Sequence, residues 1–177
     1  ILTGSDLLLI QEARMRFPGR RGTASSVDFH IRPLSFKEFV ELWGPPASPA
    51  LLEQYMVHGG FLTAINDFKR DGKVSNSTLR TYSDWVRGDL LKKGRSETHL
   101  RSVAQALLRN QGTQVSWNSL ARELTIDHPK TVAEYVELLA RLDVVNIVSA
   151  LDERHLAGAP KKARKIFFAD PFIGHAL

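Results

Sequence analysis

The second half of the chain shows three helices followed by a hairpin, and this order restricts the fold more than any other feature of the sequence. Apolar residues recur at helical spacing in three segments: 98–109, 116–124 and 130–142. A tight turn at 125–129 separates the last two. Two apolar strands follow, 144–148 and 165–169, joined by a basic loop that contains Gly and Pro. The order predicts a winged helix-turn-helix domain.

The first half of the chain predicts short helices and one strand. Ser35 and Glu38 have the spacing of a capping box, and Leu34 and Phe39 stand at the two positions of a hydrophobic staple. Ser48 followed by Pro49 predicts another helix start. The remaining helices are expected over 6–16, 61–70 and 77–93. Alternation in 27–31 predicts a half-buried strand with Ile31 facing inward.

Composition excludes several classes of site. The chain has no cysteine among its 177 residues, which removes disulfides, thiolate zinc sites and cysteine nucleophiles. Its six histidines form no His-x-x-x-His pair, so no metal site is expected. No phosphate-binding loop and no nucleophile elbow is present. We therefore expect this chain to catalyse nothing by itself. No apolar run is long enough for a membrane span, and we predict a cytoplasmic protein.

The beginning of the sequence indicates a fragment of a longer protein. Ile1 to Ser5 has the composition of the end of a buried strand that runs into a turn, with no earlier strand to pair with it. The alternative is a mature protein with a processed terminus. If residues 1–5 are the end of a buried strand, Thr3 and Ser5 stand at the carboxyl end of a parallel strand. A hydroxyl at that place can hold water beside a phosphate. The simpler interpretation is that Ser5 caps the next helix.

A second segment invites two interpretations of equal weight. Pro18-Gly19-Arg20-Arg21-Gly22 is a rigid turn that directs two guanidinium groups outward. Such a turn suits stabilisation of phosphate charge, including in a neighbouring subunit. It is equally typical of a solvated surface loop.

These segments together resemble a known family. The motifs that carry the resemblance are Ile-Leu-Thr-Gly-Ser (1–5), Pro-Gly-Arg-Arg-Gly (18–22), Arg-Pro-Leu-Ser-Phe-Lys-Glu-Phe (32–39), Tyr55 with Gly59-Gly60-Phe61, Leu79 to Tyr82 with Asp89-Leu90, Val115-Ser116, Leu120-Ala121, Thr131 to Tyr135, and Lys165 to Pro171. In this order they resemble the middle of a prokaryotic, especially archaeal, AAA-type ATPase with a C-terminal domain of unknown function. One departure is Leu62, where a proline is often found.

The resemblance implies a mainly α fold in four parts. These are a remnant of the α/β ATPase sheet (1–34), a helical lid (35–94), a winged helix-turn-helix with a hairpin wing (95–171) and the start of a further segment (172–177). Thr3 and Ser5 would occupy the sensor-one position, and Arg20 is a candidate arginine finger. ATP and Mg would be bound by the parent protein. The implied partners are the rest of its own ATPase domain and further copies in a homo-oligomer.

DNA is a further possible partner. The outer face of the 130–142 helix carries Lys130 and Thr131, but its glutamates would repel phosphates. The hairpin loop is the better candidate, through five cations: Arg154, Lys161, Lys162, Arg164 and Lys165. The alternatives are a solvated hairpin tip and a module that packs against the ATPase. We predict the lid and winged-helix portion of a nucleotide-driven switch; the alternatives are a stand-alone DNA-binding regulator and a pure interaction module.

Overall fold

The computed structural model describes residues 7–16, 30–43, 46–159 and 162–177. Within these ranges the chain is mainly helical and has a small antiparallel sheet. The helices are α1 (Leu7–Arg16), α2 (Phe36–Trp43), α3 (Pro49–His58), α4 (Leu62–Asp71), α5 (Asn76–Lys92), α6 (Glu97–Arg109), α7 (Trp117–Glu123), α8 (Pro129–Arg141) and α9 (Pro171–Ala176). The strands are β1 (Val145–Ser149), β2 (Leu151–Asp152), β3 (Ala157–Gly158) and β4 (Arg164–Phe168).

Helix starts follow the side-chain chemistry expected from the sequence. The Glu38 carboxylate accepts a 2.7 Å hydrogen bond from the Ser35 amide, and the Ser35 hydroxyl accepts one from the Glu38 amide at 3.3 Å. These bonds confirm the predicted capping box of α2. Ser48 caps α3 by accepting from the amide of Leu51 at 3.2 Å. The structure therefore begins both helices where the sequence predicts.

The hairpin is formed by β1 and β4. They pair antiparallel in a register that sets Val145 opposite Phe168 and Ile147 opposite Ile166. Val115 bridges to the other side of β4 through its backbone bonds with Arg164, at 2.8 and 2.9 Å. The two-residue strands β2 and β3 pair at the tip of the hairpin. Neither was predicted, because a two-residue strand leaves no alternating pattern in the sequence.

One continuous core crosses the predicted boundary at residues 94 and 95. Val86 and Leu90 of α5 are buried in the same cluster as Val103 of α6, Leu139 of α8 and Phe172 of α9. A second, smaller cluster lies among the first helices and contains Phe39, Tyr55 and Ile65. The helices on the two sides of this boundary therefore share one apolar interior.

Two expectations differ from the structure. Of the strand predicted over 27–31, residues 27–29 lie outside the described ranges, and His30 and Ile31 have no regular secondary structure. Ile31 is 95% exposed, so the predicted inward position is wrong. The physical reason is the lack of a paired strand in the described ranges: His30 instead places its ring 2.8 Å from the Asp143 carboxylate at the end of α8.

The helix α9 was not predicted. Its start is nevertheless signalled by Asp170, whose side chain caps the helix, and by Pro171 at the first helical position. With six residues it is too short to leave a periodic apolar pattern. Across the described part of the chain, no helix has the length and apolar character that crossing a membrane requires.

Candidate functional site

Four of the predicted site residues lie outside the described ranges. They are Thr3, Ser5 and Arg20 of the proposed phosphate chemistry, and Lys161 of the hairpin loop. The roles assigned to them stay predictions.

The outer surface of α8 carries mixed charge. Lys130 is exposed and Thr131 is half-buried in the first turn. Glu134 is paired with Arg95, whose guanidinium lies 2.9 Å from the carboxylate. Glu137 is exposed and appears in no ion pair between described residues. A negative charge therefore remains on this face, where it opposes contact with phosphates.

Three hairpin cations are exposed. Lys165 projects from the outer face of the hairpin, opposite Val148, and Arg154 and Lys162 are exposed near the tip. The turn that carries Arg154 is held by Asp152, whose carboxylate accepts from the Arg154 amide at 3.0 Å and lies 2.9 Å from Nδ1 of His155. The bond with His155 lowers the pKa of Asp152. The structure thus places these three predicted cations on the hairpin, with their side chains exposed.

The hairpin tip is also apolar. Leu156 is 81% exposed and has a φ of 47°, in the left-handed region. Leu151, at the first position of β2, is more than half exposed. Exposed single leucines are common on protein surfaces. Between them lie Asp152, Glu153, Arg154 and His155, so the tip offers charges of both signs and apolar area to a partner.

Arg164 does not belong with these exposed cations. Its guanidinium is stacked on the ring of Trp117, 4.1 Å from the ring centroid, and donates to the carbonyl of Lys162 at 2.7 Å. Burial lowers the pKa of Arg164. Arg164 is buried because side chains alternate along β4: Arg164 and Ile166 face inward, whereas Lys165 between them faces solvent. Its predicted place on a DNA-binding surface is corrected to a packing role.

A second arrangement connects the turn between α3 and α4 to the C-terminal helix α9. We call it the lid junction, after the helical lid predicted over 35–94, and define it by Leu34, Gly59, Gly60 and Asp170. One oxygen of the Asp170 carboxylate accepts from the Gly60 amide at 2.7 Å, and the other accepts from the Phe172 amide at 2.9 Å. The Gly60 carbonyl accepts from the Leu34 amide at 3.0 Å. Three distant parts of the chain therefore meet around one carboxylate.

The two glycines leave the space in which this junction forms. Gly59 has a φ of 60°, and a Cβ atom there would lie 1.8 Å from an Asp170 oxygen. A Cβ on Gly60 would lie 1.9 Å from the Leu34 carbonyl oxygen. Only a residue without a side chain permits both approaches, because real Cβ contacts do not occur at such distances.

The electrostatics of the junction are those of a buried carboxylate between neutral donors. Asp170 is 3% exposed, and none of the ion pairs between described residues includes it. Burial raises its pKa, while the two backbone hydrogen bonds act in the opposite direction. The neighbouring Tyr55 donates to the Leu34 carbonyl at 2.7 Å. Burial and the nearby Asp170 charge raise the pKa of Tyr55 to about 12.

The segments of this junction belong to the motifs that carry the family resemblance, but the sequence alone indicates no role for them. The detectable signals were Gly59-Gly60 after an apolar helix and the Asp170-Pro171 helix start. Neither shows that the two segments touch. Elsewhere in the described residues no cluster of three or more His, Asp or Glu side chains has the arrangement of a metal site.

Residues 49–177 match a family model described as Domain of unknown function (DUF8612). The chain belongs to this family. The DUF8612 match runs from α3 to α9, so it includes the two glycines, Asp170 and the hairpin. No curated protein and no solved structure matches the chain.

Proposed function

We propose that this DUF8612 chain is the lid and winged-helix portion of an AAA-type ATPase, in which it acts as a nucleotide-driven conformational switch. ATP and Mg would be bound by the rest of the ATPase domain, in the cytoplasm, and this chain would not catalyse alone. A homo-oligomer is expected, with Arg20 offered to a neighbouring subunit. The observation that supports a switch is the continuous core, which joins the lid to the hairpin-bearing segment.

The packing of α9 supports transmission of a lid movement to the hairpin. The helix follows directly after β4 and packs against α3 and α5 of the lid. Phe172, its central apolar residue, lies edge-on to Tyr82 of α5 at a ring-centroid distance of 5.0 Å. A lid that rotates on ATP binding would therefore carry β4 and the hairpin with it.

Helix α1 supports a connection to the nucleotide domain, because the resemblance assigns this helix to the ATPase core. Leu8 is buried in the main core cluster. The Gln11 side chain donates to the Arg141 carbonyl at the end of α8, at 3.1 Å. Glu12 is paired with Lys93 at the end of α5. A displacement of α1 would thus act on both the lid and the following helices.

Nucleotide binding tests the proposal. The upstream coding region should contain a Gly-x-x-x-x-Gly-Lys-Ser/Thr segment after an apolar strand. The intact gene product should show a thermal shift with Mg-ATP and should hydrolyse it, whereas the 177-residue chain should show neither. A coding region without such a segment, or Mg-ATP binding by the chain alone, would contradict the proposal.

A second candidate function is DNA binding by a winged helix. It is favoured by the exposed cations Arg154, Lys162 and Lys165 of the hairpin and by the exposed Leu156 at its tip. It is opposed by the exposed carboxylate of Glu137 on the outer face of α8. A winged-helix reader of DNA would bind duplex DNA with an affinity that falls as salt rises, because released counterions drive the binding.

Fluorescence anisotropy with duplex DNA over a salt series tests this candidate. The double variant Lys162→Ala/Lys165→Ala should lower the salt slope by about 2, since each phosphate contact contributes about 1. The matched control is Lys37→Ala/Lys73→Ala, two exposed lysines on the lid. A DNA affinity that does not change with salt concentration, or equal effects of the two double variants on it, would contradict DNA binding by the hairpin.

A further inference from the structure

We propose that the lid junction is a conformational latch, in which the Asp170 carboxylate holds α9, and with it β4, against the lid turn at Gly60. The inference deepens the proposed switch by naming the contact through which lid and hairpin move together. Its test uses no nucleotide. The latch can therefore be overturned while the ATPase proposal holds, and the ATPase proposal can be overturned while the latch holds.

The lid junction needs two hydrogen-bond acceptors at the position of Asp170. Two buried backbone donors, the amides of Gly60 and Phe172, need two acceptor atoms, and the two oxygens of Asp170 supply them. An asparagine has one oxygen, and its NH₂ group would face the remaining amide, donor against donor. Only a carboxylate of this length satisfies both the lid turn and the first turn of α9. The contact is therefore specific to an aspartate.

Helix α9 is too short to be stable in isolation. Six residues are far fewer than an isolated helix needs, so α9 persists only through its tertiary contacts. Those contacts are Phe172 and Ile173 in the core, a 3.0 Å hydrogen bond between the His175 ring and the Met56 carbonyl of α3, and the Asp170 bonds at the start of the helix. Loss of the Asp170 acceptor leaves buried donors unpaired at the point where α9 meets the lid. The lid turn and α9 should then open together as one local unit.

Hydrogen exchange of the 177-residue chain, followed by mass spectrometry, tests the latch. In Asp170→Asn, exchange at 59–61 and 171–177 should rise about tenfold or more, because one buried donor is left unpaired. Exchange within α6 and α8 should change by less than about twofold. Gly60→Ala should reproduce this pattern from the other side, since its Cβ would push Leu34 and the turn apart.

The matched control is Asp67→Asn, which makes the same chemical change at another buried carboxylate. The partners of Asp67 are Ser75, Thr78 and Arg70, all within the lid. This variant should raise exchange around 73–80 and leave 171–177 unchanged. Equal exchange at α9 in the two aspartate variants would overturn the latch.

A measurement on the wild-type chain remains decisive if the Asp170 variant does not fold. At low denaturant, 59–61 and 171–177 should open with the same denaturant dependence, and before α6 to α8. Opening of 171–177 together with α6 to α8, while 59–61 stays protected, would overturn the proposal. So would an Asp170→Asn chain in which α9 exchanges as slowly as in the wild type.

Discussion

The amide of Gly60 donates a 2.7 Å hydrogen bond to the carboxylate of Asp170, a residue 110 positions further along the chain. The bond is buried at both ends. It fixes the turn between α3 and α4 against the start of α9 and thereby connects the first and last described helices of the family match.

Asp170 should make the stability of the chain depend on pH. Burial raises its pKa in the folded state, so its contribution is fully present below the unfolded value of about 3.9 and falls as pH rises through the higher folded value. The stability of the wild type relative to Asp170→Asn should therefore decrease from pH 4 towards neutrality. Urea unfolding of both proteins across that range measures it. A difference that is constant or grows with pH would contradict the prediction.

Asp67 should have the opposite pH dependence. Hydrogen bonds from the Ser75 and Thr78 hydroxyls lower its pKa to about 2. Its contribution is then present above the unfolded value of about 3.9 and is lost as pH falls through about 2. Acid titration of unfolding should show the wild type losing stability faster than Asp67→Asn below pH 4. Parallel acid curves for the two proteins would refute this assignment.

Two glycine substitutions should change stability in opposite directions. Gly60→Ala should lower the free energy of unfolding by about 1–3 kcal/mol, because a Cβ would collide with the Leu34 carbonyl. Gly88→Ala, inside α5, meets no atom within 4 Å and should raise it by about 0.5–1 kcal/mol through helix propensity. Thermal and urea unfolding distinguish the two. Equal effects would mean that the close approach at Gly60 is absent.

Arg164 should act on stability rather than on binding. Replacing it with Met removes the stacking on Trp117 and the bond to the Lys162 carbonyl, at a cost of about 1–2 kcal/mol. Lys165→Met, its exposed neighbour, should change stability by less than about 0.5 kcal/mol. A double-mutant cycle with Trp117→Leu should show coupling between Arg164 and Trp117. If the effects of the two substitutions on the free energy of unfolding are additive, Arg164 and Trp117 do not stabilise the protein through contact with each other.

Local signals in the sequence were sufficient for most helices. Ser35 with Glu38, and Ser48 before Pro49, satisfy the first amides of a helix from within a few residues, so the sequence shows both ends of each interaction. Trp85 and Trp117 lie in apolar helical patterns and pack against the main core. These features depend on neighbours three or four positions away, which spacing alone describes.

What the sequence could not show is which distant segments touch. Arg164 belongs to a basic run, and only the register of β4 turns it inward onto Trp117 while Lys165 faces solvent. Gly59-Gly60 and Asp170-Pro171 each have an ordinary local interpretation, as a turn and a helix start. The sequence by itself therefore determined where most of the helices begin and end, but not that α9 forms. The tertiary structure alone decided that Asp170 meets Gly60, because that contact depends on the packing of α9 between α3 and α5.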